Sequence, residues 1–411
     1  MPYVMQSPPG AETVIDGRRY LYFAGTGYLG LQSDPEVLRA ACEAMGRYGL
    51  ASATSRSGLG TTPPLLDAEA QASAFFQTPA AFYFASGYAG NQILVRTLEG
   101  TYDAVFVDEL SHYSVFDAAR QVGRPPIPFR HRDPESLAAA LDRGLRPGQR
   151  PLVMSDGVFS VLGHIAPLPD YCRVLAEYPG AALVVDDAHG AGVLGAAGRG
   201  TFDHFGLTGS VDGETFPGMG GGEEASVASD AGRVGNPSSK GADLPDGLPI
   251  RPTGPRLYFS TTLSKALGGF GGILPLDHGL LERVRAATHH YQGASAPPVP
   301  VAAASAKALQ IVRTRPELRG KLARNVRAVK DGLRRLGLAV DDTPVPIVPL
   351  CLGTTENMQR IHRELAADGI MVPYLPAYSG LGPGGALRLA VFATHTPAMI
   401  TQLLDSLSRT L

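Results

Sequence analysis

Four short apolar runs, 81–84, 104–107, 151–154 and 182–185, recur along the first half of the chain, each followed by a longer stretch whose apolar spacing suits a helix. Runs that are apolar throughout fit strands covered on both faces. The pattern therefore predicts a mostly parallel central sheet with helices packed on its two sides, an α/β fold. In such sheets ligands bind outside the carboxyl ends of the strands. The residues at those ends are Ser86-Gly87-Tyr88, Asp108 to His112, Ser155 to Ser160 and Asp186 to His189, and the four loops are expected to converge with the turn that carries Lys265.

Around this rhythm the chain divides into an arm, a large domain and a smaller one. Residues 1–35 read as an N-terminal arm with a hairpin over 13–23, turned at Asp16-Gly17, and Asp34 with Pro35 opens a helix that runs to about Tyr48. Residues 36–290 are expected to form the large α/β domain. Within it 209–255 is rich in Gly, Ser, Asp and Pro and too poor in apolar residues to bury a core, so it reads as an excursion or flap. Residues 291–411, helical from about 300 to 336 and then strand-like at 346–351, 370–372 and 386–392, predict a smaller α+β C-terminal domain.

With 411 residues and 44% hydrophobic content the chain can bury a core of two domains. Lysine and arginine total 36 against 38 acids, a formal charge of −2, which gives no electrostatic ground for binding nucleic acid or an anionic membrane. Cys42, Cys172 and Cys351 are few, odd in number and far apart, in keeping with reduced thiols in a cytoplasmic protein rather than a disulfide framework or a zinc site. No run approaches a membrane span, and Met1 to Gly10 lacks a basic start followed by an apolar core, so no secretion signal is expected.

The chemistry centres on Tyr258-Phe-Ser-Thr-Thr-Leu-Ser-Lys-Ala-Leu-Gly-Gly-Phe-Gly-Gly272. One lysine sits between hydroxyl residues and a glycine cluster, an arrangement that lets a flat ring approach the backbone. Lysine forms Schiff bases, and pyridoxal 5'-phosphate (PLP) is the common cofactor that uses them. Such a cofactor also needs a carboxylate for its ring nitrogen, which Asp186 at the end of a buried strand can supply; His189 is placed to reach the ring oxygen. Ser86-Gly87-Tyr88 before a helix suits a phosphate, His112 can stack on a ring, and Ser160 adds a polar donor. Taken singly, each has an ordinary structural reading: a capping aspartate, a core histidine, a surface turn.

Taken together, Gly27-Tyr-Leu-Gly-Leu31, Phe84-Ala-Ser-Gly-Tyr-Ala-Gly-Asn91, His112, Gly157-Val-Phe-Ser160, Val185-Asp-Asp-Ala-His-Gly190, Thr262-Leu-Ser-Lys-Ala-Leu-Gly268 and Ala393-Thr-His-Thr396 resemble the α-oxoamine synthases, PLP-dependent enzymes of fold type I. The resemblance implies Lys265 as the Schiff-base lysine, Asp186 as the pyridinium partner, and His189 and Ser160 on the phenolic oxygen. It further implies His112 stacked on the ring, Thr262 and the Gly87 and Tyr88 amides on the phosphate, and Arg388 on the amino-acid carboxylate. It also implies a homodimer and a decarboxylative condensation of a small amino acid (alanine, glycine or serine) with an acyl thioester of CoA or a carrier protein. The alternative on the same scaffold is an aminotransferase or aldolase, since a fold does not fix a reaction. A non-enzymatic scaffold would have no use for the set Lys265, Asp186, His189 and Arg388.

Overall fold

The computed structural model describes residues 3–123, 125–207, 210–211, 214–215 and 254–411. The excursion expected over 209–255 lies almost wholly outside the described residues. The N-terminal hairpin joins β1 (Glu12–Ile15) to β2 (Arg18–Tyr22) through Asp16 and Gly17, both in the left-handed region with φ 48° and 77°. Two consecutive positive φ angles match the right-handed strand twist, and an Asp-Gly pair is the sequence that tolerates them.

The central sheet uses β3 (Ala80–Phe84), β4 (Ala104–Asp108), β5 (Ile127–Phe129), β6 (Pro151–Asp156) and β7 (Ala182–Asp186). After the two-residue ladder of β8 (Ser210–Val211) and β9 (Glu214–Thr215) come β10 (Arg256–Thr262) and β11 (Gly272–Leu276). The sheet order is β3-β11-β10-β7-β6-β4-β5. From β10 to β5 every pair is parallel, whereas β11 runs antiparallel to both its neighbours. Every residue of β3, β6 and β11 is buried, the burial expected of strands covered on both faces. Neither β5 nor β11 is visible in the sequence pattern. β5 is three residues long with Pro128 inside it, and β11 contains Pro275 opposite Ala81, where proline normally argues against a central strand.

Register decides what the carboxyl ends present. Asp156 of β6 pairs with Asp186 of β7, which pairs with Ser260 of β10, so three polar side chains form one row across adjacent strand ends. The N-terminal hairpin does not stand apart from the C-terminal end of the chain. β2 pairs in parallel with β13 (Ile370–Met371), and Ala390 donates to the Phe23 carbonyl. A second sheet places β15 (Ala386–Ala390) between β12 (Ile347–Leu350) and β14 (Tyr374–Leu375).

Helix ends follow the local chemistry. Asp34 accepts from the Glu36 and Val37 amides to open Pro35–Tyr48. The helical pattern expected from about 300 to 336 is two helices, Val299–Thr314 and Glu317–Arg335. Pro316 disfavours helical geometry in the residue before it, and Arg315 sits at φ −123°, ψ 68°.

Arg56 and Glu69 tie the loop at 50–62 to the sheet. Their side chains are 2% and 11% exposed, they pair at 2.5 and 3.0 Å, and Glu69 also accepts from the Tyr83 amide while Arg56 donates to the Tyr83 carbonyl. Removing one partner leaves the other charge buried, so Glu69→Ala is expected to lose about 3–5 kcal/mol of stability. Urea unfolding measures it; a loss under about 1 kcal/mol, the range of an exposed pair, would contradict the role.

Candidate active site

The turn after β10 holds Lys265 in a closed loop. The Leu263 amide donates to the Gly271 carbonyl, Gly269 to Leu263 and Gly268 to Lys265. Gly268 has φ 72°, and a Cβ there would stand 2.2 Å from the Leu31 Cβ, so only glycine fits. From outside, Gln32 Nε2 donates to the Lys265 carbonyl at 2.6 Å. The lysine backbone is therefore fixed on two sides, and its amine turns inward to a cavity of about 280 Å³.

Five strand-end loops line that cavity, contributing Ser86, Gly87 and Tyr88; His112 and Ser114; Asp156 and Ser160; Asp186 and His189; and Thr262, Ser264 and Lys265. Of the residues given a role from the sequence (Lys265, Asp186, His189, His112, Ser160, Thr262, Gly87, Tyr88 and Arg388), all but Arg388 are among the lining residues. Arg388 lies behind them, 7% exposed, with Nε donating to the Ser160 carbonyl at 2.7 Å, Nη1 to the Gly25 carbonyl at 3.2 Å and Nη2 to the Tyr28 hydroxyl at 3.3 Å.

At the centre, Lys265 Nζ is 2.9 Å from His189 Nε2, and His189 Nδ1 is 2.8 Å from the Tyr28 hydroxyl. Burial lowers the Lys265 pKa to about 8; the Asp186 and Asp156 carboxylates oppose the shift and Arg388 adds to it. Burial likewise holds His189 well below the ordinary histidine range, with the Lys265 charge acting in the same direction, so His189 is a neutral imidazole.

Asp186 is held from three sides. Asn91 Nδ2 donates to Oδ2 at 2.7 Å, the Ser114 hydroxyl donates to the same oxygen at 3.2 Å, and the Ala188 amide donates to Oδ1 at 3.1 Å. Ser260 in turn donates to Asn91 Oδ1 at 2.7 Å. His112 Nδ1 lies 2.9 Å from the Ser114 hydroxyl, and the His112 amide donates to Asp156 Oδ1 at 3.1 Å. Asp156 is wholly buried, and desolvation followed by the neighbouring Asp186 charge drives its pKa well above the carboxylate range. Asp187, one residue on, faces away and accepts from the Thr201 amide; burial raises it to about 8.

Opposite the lysine turn, Gly87 packs so closely on Thr262 that a Cβ would come within 2.6 Å of it. The Thr262 hydroxyl donates to the Gly271 carbonyl at 2.9 Å and lies 2.7 Å from the Ser264 hydroxyl, which leaves a small floor rich in hydroxyls and amides. The Tyr88 side chain turns aside, its hydroxyl donating to Asp117 and its ring edge-on to His112 at 6.0 Å. Ser160 meets Tyr378, hydroxyl to hydroxyl at 3.0 Å.

Four residues had no role assigned from sequence: Tyr28, Asn91, Ser114 and Asp156. Tyr28 and Asn91 lie inside motifs already singled out, and Asn91 stands in the first turn of the helix Gly90–Thr97, directed at a strand end. Ser114 and Asp156 become meaningful only through the register that sets Asp156 beside Asp186.

The lowered lysine pKa is directly testable. Acylation of Lys265 by an amine-selective reagent in cofactor-free protein, read by peptide mass spectrometry, is expected to rise with pH through a midpoint near 8, because only the neutral amine reacts. A midpoint at the ordinary 10.5 would contradict the environment described.

The chain matches the aminotransferase class I and II family over residues 23–407. It is 34% identical over 408 residues to an 8-amino-7-oxononanoate synthase of Nitrosococcus oceani, covering 99% of this chain and 96% of that protein, and 33% identical over 405 residues to one of Methylococcus capsulatus, covering 98% and 92%. Among solved structures, serine palmitoyltransferase from S. paucimobilis with bound PLP–myriocin superposes with a TM-score of 0.82 at 28% identity, covering 100% of this chain and 92% of that one. The Sphingomonas wittichii serine palmitoyltransferase gives 0.82 at 25% identity, covering 99% and 91%. With a full-length match to the family and relatives of this kind at both levels, the chain belongs to the aminotransferase class I and II family and, within it, to the α-oxoamine synthases.

Proposed function

We propose that this protein is a PLP-dependent α-oxoamine synthase, an acyltransferase that condenses a small amino acid with an acyl thioester, releases the amino-acid carboxylate as CO2 and yields an α-amino ketone. The observation that carries the reading is the gathering of Lys265, Asp186, His189 and His112 around one cavity, above the floor formed by Gly87 and Thr262. Pyridoxal phosphate fits these residues. The site offers an amine of lowered pKa, a carboxylate fixed by three donors, an imidazole beside the amine, and a glycine at 87 where any side chain would collide with Thr262. Bound there, PLP supplies an aldehyde for the amine and a ring that takes up the negative charge left when the Cα proton departs.

The chain's own residues divide the remaining work. Lys265, with a pKa near 8, exists in appreciable part as the free amine near neutrality and is suited to accept the Cα proton and return it. Asp186 is fixed by Asn91, Ser114 and the Ala188 amide, and so meets a protonated ring nitrogen without reorganising. His112 is anchored by its amide to Asp156 and by Nδ1 to Ser114, which sets its ring plane at the cavity wall. Arg388 presents a planar fork suited to a carboxylate, and exchanging one of its three present acceptors for substrate would orient the bond to be broken.

The amino acid is alanine, glycine or serine, and the thioester is carried by CoA or a carrier protein. The working unit is a homodimer; Leu50, Leu59 and Leu66, 68%, 93% and 51% exposed, are apolar side chains that a second copy would cover. The three cysteines are free, in keeping with a reducing cytoplasm, and among the described residues no helix is long and apolar enough to cross a membrane.

Incubation with each amino acid and a panel of thioesters is expected to release free thiol and CO2 in equal amounts. Keto-acid formation without thioester consumption would overturn the reading in favour of an aminotransferase, and aldehyde release would favour an aldolase. Gly87→Ala is expected to weaken PLP binding by at least about tenfold, since its Cβ would collide with Thr262. Fluorescence titration of the cofactor-free variant checks this; unchanged affinity would remove Gly87 from the cradle.

A further inference from the structure

We infer that Tyr28 is a positioning residue that fixes the tautomer of His189, making its Nε2 a hydrogen-bond donor toward the cavity and linking that choice to Arg388. The argument is one of counting protons along the chain Arg388–Tyr28–His189–Lys265. A guanidinium can only donate, so the Arg388 Nη2 contact at 3.3 Å makes the Tyr28 oxygen an acceptor. Tyr28 is fully buried, and its remaining contact is His189 Nδ1 at 2.8 Å.

A neutral imidazole has one donor nitrogen and one acceptor. If Nδ1 carried the proton, the Tyr28 oxygen would accept twice and its own hydrogen would point into packed protein without a partner, the costly case of a buried unsatisfied donor. If Nδ1 accepts instead, the Tyr28 hydrogen is satisfied and the imidazole proton resides on Nε2. That nitrogen faces Lys265 Nζ at 2.9 Å, and above a pH of about 8, where the lysine is mostly a free amine, Nζ accepts from it. The arrangement that satisfies every buried group therefore gives His189 as donor and Lys265 as acceptor.

Two consequences follow for the reaction, and both rest on the function proposed above. An Nε2–H donor is what an anionic oxygen on a bound ring requires from His189. Arg388 also enters the same circuit: on turning toward a substrate carboxylate it withdraws a donor from Tyr28, so occupancy of the carboxylate position is sensed at the imidazole beside the catalytic amine.

Two-bond proton–nitrogen correlation spectra of the full-length, cofactor-free protein labelled with 15N-histidine test this, the His189 signals being assigned by their loss in His189→Asn. At a pH of about 9, above the lysine's titration, Nδ1 of the wild type is expected at an unprotonated shift and Nε2 at a protonated one. In Tyr28→Phe the Nδ1 nitrogen is expected to lose that fixed acceptor character and move toward a mixed or inverted tautomer. Wild-type Nδ1–H overturns the proposal on its own, whether or not the variant folds; a folded Tyr28→Phe with wild-type shifts overturns it as well. No substrate or thioester is present, so the result stands apart from that of the thiol and CO2 assay.

Discussion

Everything in this protein turns on holding one lysine amine inside a packed α/β domain without giving it a close ionic partner. The nearest group to Lys265 Nζ is a neutral imidazole, and the Asp186 carboxylate acts on the amine through space. Burial wins over that attraction, and the pKa falls to about 8. A direct salt bridge would have kept the ammonium charged and chemically inert. The glycine turn fixes the lysine backbone and so aims the amine into the cavity.

The same logic explains the two buried aspartates beside it. Strand register places Asp156 and Asp186 as direct neighbours, and two like charges at that separation in a desolvated site are unfavourable. The conflict is resolved by unequal hydrogen bonding: Asp186 receives Asn91, Ser114 and the Ala188 amide, whereas Asp156 receives the His112 amide and is driven toward its protonated form. Asp186 is held by three donors facing the cavity, and Asp156 serves as an anchor for the histidine loop. Ser114 touches both His112 and Asp186, so the two share one hydroxyl.

Much of this was legible before any coordinates. The four apolar runs are strands of the central sheet with nearly the expected bounds, because apolar residues buried on both faces leave a signal that needs no tertiary context. The lysine turn and the strand-end loops carry chemistry at positions the α/β rule brings together, and they do line one cavity. What escaped was whatever depends on pairing. β11 hides behind Gly272 and Pro275, and its antiparallel place between β3 and β10 has no local signature. Asp156, Ser114 and Tyr28 read as ordinary polar or aromatic residues, since their roles arise from neighbours 44, 72 and 161 positions away. The break at Arg315–Pro316 was visible in principle, because a proline at that point ends one helix and begins another.

The central claim is that Lys265 is the residue joined covalently to PLP in the resting protein. Borohydride reduction of the freshly loaded protein, followed by digestion and peptide mass spectrometry, tests it most directly, because reduction makes the link permanent. The account predicts a pyridoxyl group on the peptide containing Lys265 and on no other lysine. A label on a different lysine, or none on a protein that has bound the cofactor, would contradict it.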